Sequence, residues 1–179
     1  MGSDKSDSAI ASSARRRHAK LKDQVFTAES ESDVRQAVLA LYDLDLVGKL
    51  EKYRIDYAHP EIWLEFKFKA DILDRSTRCK IISQILHYIH QAPIVRGEHL
   101  LPETFGIVNK THIMLYDTED FGRYIINPNY FSGVKSPSSQ HPQLEKDLFS
   151  DPLIQSQPLH ILADYDEVWA ALEERGAYE

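Results

Sequence analysis

Asp56, Glu65 and Lys67 lie in the stretch YRIDYAHPEIWLEFKFKADIL, residues 53–73, at a spacing suited to metal-assisted hydrolysis. Glu65 and Lys67 are two residues apart, so on a strand they project from the same face. Asp56 stands nine residues before Glu65, within reach of it across one hairpin. Two carboxylates at close range repel each other unless a hard cation lies between them. Mg²⁺ prefers oxygen ligands, keeps several waters and lowers the pKa of one of them. The backbone carbonyl of Phe66 lies between the two side chains and could add a ligand. A lysine beside them stabilises the charge that develops on a phosphodiester under attack and orients the attacking water. The pattern therefore predicts a divalent-metal site built from Asp56, Glu65 and Phe66, with Mg²⁺ as the ion and Mn²⁺ as a substitute.

The flanking elements have to carry these groups. Tyr53, Ile55 and Tyr57 alternate with Arg54 and Asp56, and Ala58-His59-Pro60-Glu61 reads as a tight turn. From Ile62 to Lys69 the alternation is sharp. Leu64, Phe66 and Phe68 fall on one face, Trp63, Glu65, Lys67 and Lys69 on the other. This predicts a two-stranded antiparallel hairpin whose apolar face is core, with Trp63 packing beneath the N-terminal helix. Before it, Thr27 or Ser30 offers a cap for a helix over about 31–47, stopped by Gly48, with Val34, Val38, Leu41 and Leu46 on its apolar face. After it, Ser76 or Thr77 offers a cap for a helix to about Gln91, with Ile81, Ile82, Ile85, Leu86 and Ile89 as its stripe and Pro93 at its end. Strands follow over Thr104–Val108 and His112–Tyr116, and a short edge strand over Gly122–Ile126. This order predicts an α/β fold, a central mixed β-sheet flanked by helices.

Asp56-x8-Glu65-Phe66-Lys67 resembles the D…(D/E)-x-K signature of the PD-(D/E)XK nuclease superfamily. Two further motifs strengthen the resemblance. Gln84-Ile85-Leu86-His87-Tyr88 is a Q-x-x-x-Y motif on the helix after the E-x-K strand, with Gln84 and Tyr88 on one helical face. It is similar to the motif carried by recombination exonucleases and by the nuclease domains of restriction–modification enzymes. Glu31-Ser32-Asp33-Val34-Arg35 resembles the acidic helix start of the same nucleases, where a Glu contributes to the metal site. The resemblance covers about residues 28–130. It implies a restriction-endonuclease-like core and a Mg²⁺-dependent DNA endonuclease. Glu31, Asp56 and Glu65 would bind the metal, Lys67 would position the water, and Gln84 and Tyr88 would orient Lys67 or a substrate phosphate. Ile55 rather than Pro precedes Asp56, a departure that the superfamily tolerates.

Composition sets the context. The net charge of −7 argues against a free-standing, tight DNA binder. Basic residues crowd residues 1–24 and acidic ones 141–179. A nuclease domain of this kind would borrow DNA affinity and sequence readout from a fused or associated methyltransferase, helicase or recognition domain in a larger restriction–modification or defence enzyme. Self-association would bring the two active sites that cutting a duplex needs. The single cysteine, Cys79, suits a reducing cytoplasm, and no apolar run is long enough to span a membrane. Three regions are expected: residues 1–26 as a disordered or basic helical arm, 27–131 as the nuclease core, and 132–179 as a Pro/Ser/Gln-rich tether ending in a short helix near Asp164. Within the arm, disorder is expected over 1–13 and a helix from Ala14 to Phe26. His59, His87, His90, His99 and His112 lack ligand spacing and read as structural or exposed, with His87 also placed where it could face the cleft beside Tyr88. Lys69 is either a contact to nucleic-acid backbone or a solvated strand end, and Arg15–Arg17 either a phosphate-binding arm or a solubilising run. Two other functions fit the same residues: a nuclease-fold module without catalysis that serves binding or assembly, and a small-ligand-binding regulatory α/β protein.

Overall fold

The computed structural model describes residues 3–44, 49–50, 55–92, 101–156 and 159–178. In chain order the described elements are helices α1 (Ser3–Phe26) and α2 (Glu31–Leu41), strands β1 (Lys49–Leu50), β2 (Tyr57–Ala58) and β3 (Ile62–Phe66), and helix α3 (Arg75–Gln91). Strands β4 (Thr104–Val108) and β5 (His112–Asp117) follow, then helices α4 (Gly122–Ile125), α5 (Pro142–Phe149) and α6 (Leu153–Ser156), strand β6 (Leu159–Ile161) and helix α7 (Tyr165–Glu174). The strands form a mixed six-stranded sheet in the order β1-β2-β3-β4-β5-β6. β3 and β4 are parallel, joined through α3, and the other neighbours are antiparallel.

Both faces of the sheet are covered, which is why every residue of β3 is buried. Period-2 alternation sorts its side chains between two cores. Ile62, Leu64 and Phe66 face Val34, Val38 and Leu41 of α2 and Val168 and Leu172 of α7. Trp63 faces the other way, among Ile81, Ile82, Ile85, Leu86 and Ile89 of α3. Trp63 thus packs against α3 and not beneath the N-terminal helix. At the centre of the first core Leu64, Gly106 and Leu115 stand level on three adjacent strands. A β-carbon at Gly106 would come within 2.9 Å of the Leu115 side chain and of the Met114 carbonyl, so only glycine fits there.

Several expectations need correction. The first helix begins at Ser3, not near Ala14, and runs unbroken to Phe26. Ser30 caps α2 by accepting from Asp33 N–H, but the helix stops at Leu41, not near 47. Asp43, at φ 53°, turns the chain out of helical geometry there. Asp74, rather than Ser76 or Thr77, caps α3 by accepting from Thr77 N–H at 2.9 Å. Gly122–Ile125 is a helical turn and not an edge strand. It follows a 3₁₀ turn at Thr118–Phe121, and the two turns seat Phe121 and Tyr124 in the α3-side core. Residues 132–156 are no tether. Leu144 and Leu148 of α5 and Ile154 of α6 are wholly buried against the α3 side. β6 and α7 then complete the sheet edge and the opposite core, so the described elements after residue 131 contribute to both layers. Leu46, Gly48, Tyr53, Arg54, Pro93 and His99 lie outside the described residues.

Candidate active site

The parallel pair β3 and β4 ends at Phe66 and Val108. Open α/β sheets tend to place ligands outside the carboxyl ends of such strands. Glu65 shares its face with Trp63, so it points toward α3, where helical spacing brings Gln84 and Tyr88 onto one side. The Gln84 amide ties the group together. Its Oε1 accepts from Lys67 Nζ at 3.2 Å. Its Nε2 lies 3.4 Å from Glu65 Oε1 and 3.2 Å from the Tyr88 hydroxyl, as a donor to both. Lys67 Nζ also lies 3.5 Å from Glu65 Oε1. Glu65, Lys67, Gln84 and Tyr88 therefore form one connected network.

Asp56 reaches the network from the other side. It sits in a bend just before β2, not within a strand as its alternation with Tyr53 and Ile55 suggests. Pairing of β2 with β3 stops at Tyr57 and Leu64, and the Asp56 carboxylate takes over where the backbone ladder ends. Its Oδ2 accepts from Phe66 N–H at 2.8 Å. A strand residue's N–H and C=O point to the same edge, so the Phe66 carbonyl is also aimed toward Asp56. Asp56 Oδ1 lies 3.9 Å from Arg35 Nη1 on α2. Arg35 was not among the expected site residues. Its signal was its position four residues after Glu31 in the same acidic helix start, which puts both on one helical face.

The electrostatics couple these groups. Glu65 is 4% exposed. Burial pushes its pKa up to about 8; the Asp56 charge adds to the rise, Lys67 opposes it, and Glu31 contributes a smaller rise. Glu31 is raised too, first by partial burial and further by Asp56, against the pull of Lys67 and Arg35. Glu31, at the start of α2, is thus within electrostatic range of the network. Glu65 Oε1 takes the contacts from Lys67 and Gln84, while the buried Oε2 has no hydrogen-bond partner. An orphaned buried carboxylate oxygen is costly and calls for a proton or a cation.

These residues fit a hard cation. Among the described residues no three His, Cys, Asp or Glu side chains converge into a ready-made metal cage. Mg²⁺ does not require one, since it is commonly held by one or two carboxylates and several waters. The oxygen-rich donor set of Glu65, Asp56 and the Phe66 carbonyl matches that preference.

Other polar groups lie elsewhere. His87 turns away from Tyr88 into the α5 side, with its Nδ1 2.8 Å from His141 Nε2. His90 Nδ1 meets the Ile125 carbonyl, and His59 Nδ1 accepts from Glu61 N–H in the turn before β3. Cys79 is buried, and burial raises its thiol pKa to about 11, so it is no nucleophile. A cleft of about 830 Å³ is lined by Glu103, Asp117, Glu119 and Arg175. It opens by Thr104 and Asp117, the opposite end of β4 and β5 from Lys67, and holds none of the network. No helix among the described residues is long and apolar enough to cross a membrane. No protein-family model, curated protein or solved structure matches the chain.

Proposed function

We propose that this chain is a Mg²⁺-dependent nuclease domain with a restriction-endonuclease-like core that hydrolyses DNA phosphodiester bonds. The observation that carries the reading is the network itself. Glu65, Lys67, Gln84 and Tyr88 are hydrogen-bonded in the order their two motifs imply, and Glu65 keeps one oxygen unpartnered. Glu65 and Asp56 would hold the cation, with the Phe66 carbonyl and Glu31 beside them. Bound there, it would supply charge neutralisation at the scissile phosphate and acidify an attacking water. Lys67, fixed by Gln84 and Glu65, presents Nζ protons to the phosphate oxygen where charge builds up and to the water that attacks. Tyr88 holds the Gln84 amide in the orientation that leaves its carbonyl for Lys67. Arg35 steadies Asp56 from the α2 side. The chain's acidic balance fits a domain that draws its DNA affinity from a partner domain of a larger restriction–modification or defence enzyme.

The deciding experiment is nicking of supercoiled plasmid with Mg²⁺ or Mn²⁺ by the wild type and by Lys67→Ala. Metal-dependent nicking that the variant loses supports the proposal. Equal nicking by both proteins would sink it. If neither nicks, calorimetric titration with Mn²⁺ decides: binding lost in Asp56→Ala indicates a catalytically silent module that keeps its metal site, and no binding at all removes the metal reading.

A further inference from the structure

Beyond β3 the chain continues beside β4 and the turn that follows it. Lys67 N–H donates to the Val108 carbonyl at 2.8 Å, which holds the chain to the end of β4, and the bend that follows brings Phe68 beside the turn that carries Lys110. The Phe68 ring packs on the α2-side core. Two ammonium groups converge on it: Lys69 Nζ lies 5.8 Å from the ring centre and Lys110 Nζ 5.3 Å. Both are within cation–π range of one aromatic face system.

The placement of Lys110 is built rather than incidental. Asn109, 8% exposed, locks its turn. Its Nδ2 donates to the Ala70 carbonyl at 3.1 Å, tying the turn to the segment that carries Lys69. Its Oδ1 accepts from Thr111 N–H at 2.9 Å and from His112 N–H at 2.8 Å. Among the described residues no carboxylate pairs with Lys69 or Lys110, although the chain as a whole carries an excess of acids. Two like charges held to one ring without a counter-charge repel, and the ring quadrupole offsets only part of that cost. An anion placed against both would relieve it. Lys67, Lys69 and Lys110 are separate cations spread over adjoining segments. Cations carried on adjoining segments suit a polymer with charge at every residue better than a single small anion.

We infer that Lys69 and Lys110, held on the Phe68 ring, form a phosphate-binding contact for the nucleic-acid backbone next to the scissile position. The inference rests on the nuclease reading for what the strand is doing there, while the contact itself is a separate binding event with its own readout.

The test is fluorescence anisotropy with a short labelled DNA duplex in Ca²⁺ over a range of salt concentrations. It compares wild type, Lys69→Ala, Lys110→Ala, the double variant, the double Lys→Arg variant and, as a control on α5, Lys146→Ala. Each lost phosphate contact lowers the slope of log K against log salt by about 0.9, so the double alanine variant should lose about 1.8. Its affinity at low salt should fall by about tenfold or more, the arginine variant should retain both slope and affinity, and Lys146→Ala should match wild type. The single variants keep the test open should the double one fold poorly. A slope and affinity unchanged in all lysine variants would overturn the contact, as would a wild type that does not bind the duplex. Plasmid nicking separates the two claims. Metal-dependent nicking with unaltered binding in the double variant defeats the contact and leaves the nuclease. Lysine-dependent binding with no nicking in either metal leaves the contact and defeats the nuclease.

Discussion

Helix α3 buries titratable groups on two of its faces, and the two treat them differently. On the α5 side His87 and His141 are 3% and 1% exposed, and each ring meets the other at 2.8 Å. His87 Nε2 lies 3.2 Å from Gln91 Nε2, so its second nitrogen is also engaged. Phe131 stacks over His90 and lies beside His87, closing the cluster to water. On the β3 side Glu65 is as deeply buried, but one of its oxygens has no partner, and the carboxylates around it raise its pKa instead of relieving it. One cluster is closed and contributes stability. The other leaves a buried carboxylate oxygen without a hydrogen-bond partner. Arg75 and Arg78 on the same helix also bury an Nε without a partner, so what marks Glu65 is an unpartnered acceptor oxygen together with the carboxylates beside it.

The sharpest test of that contrast is Lys67→Ala, expected to lower metal-dependent cleavage by about three orders of magnitude or more with little effect on melting, since Lys67 is half-buried at a strand end. A similar loss of melting temperature and activity would make the network structural. His141→Ala should do the reverse. It leaves His87 without its partner and opens a cavity between α3 and α5, costing about 2–4 kcal/mol in denaturant unfolding while the folded fraction cleaves at the wild-type rate.

pH separates the clusters next. Glu65 has a folded pKa of about 8 against an ordinary value of 4.5. The folded metal-free protein therefore keeps a proton that the unfolded chain releases. Its contribution to stability is full below about 4.5 and drains away as pH rises through about 8, a loss of a few kcal/mol. Glu65→Gln should flatten this limb in thermal melts. A metal-free stability that does not fall between those pH values would break the assignment. His87 gives the opposite limb. Desolvation beside His141 holds its pKa near 4, so stability is present above the ordinary value of 6.5 and is lost as pH falls through about 4. The smallest effect is expected from Tyr88→Phe, which removes one hydrogen bond to Gln84 and should slow cleavage by about tenfold without moving either pH limb.

The parts of this site that were readable in advance depend on local periodicity. Glu65 and Lys67 share a face because strands alternate. Gln84 and Tyr88 share one because helices repeat every 3.6 residues, and Ser30 before an acidic turn marks a helix start. What was not readable depends on contacts distant in sequence. Arg35 meets Asp56 only after α2 packs on the sheet. The bend at Asp56 replaces an expected strand because its carboxylate, rather than its backbone, caps the edge of β3. His141 pairs with a histidine 54 residues away, in a Pro- and Ser-rich stretch whose composition resembles a loop. Leu144 and Leu148 at helical spacing were the available sign that this stretch docks.

The amino-acid sequence by itself determined which side chains could share a face, the apolar stripes of α2 and α3, and the order of motifs along the chain, because these follow from the repeat of each element. The tertiary structure decided which faces meet. It chose α3 rather than the N-terminal helix as the partner of Trp63, drew α5, α6 and α7 into the core layers, and brought the Lys110 ammonium to the Phe68 ring. Those outcomes depend on burying apolar area on both sides of one sheet, a free energy summed over the whole chain that no local pattern reports.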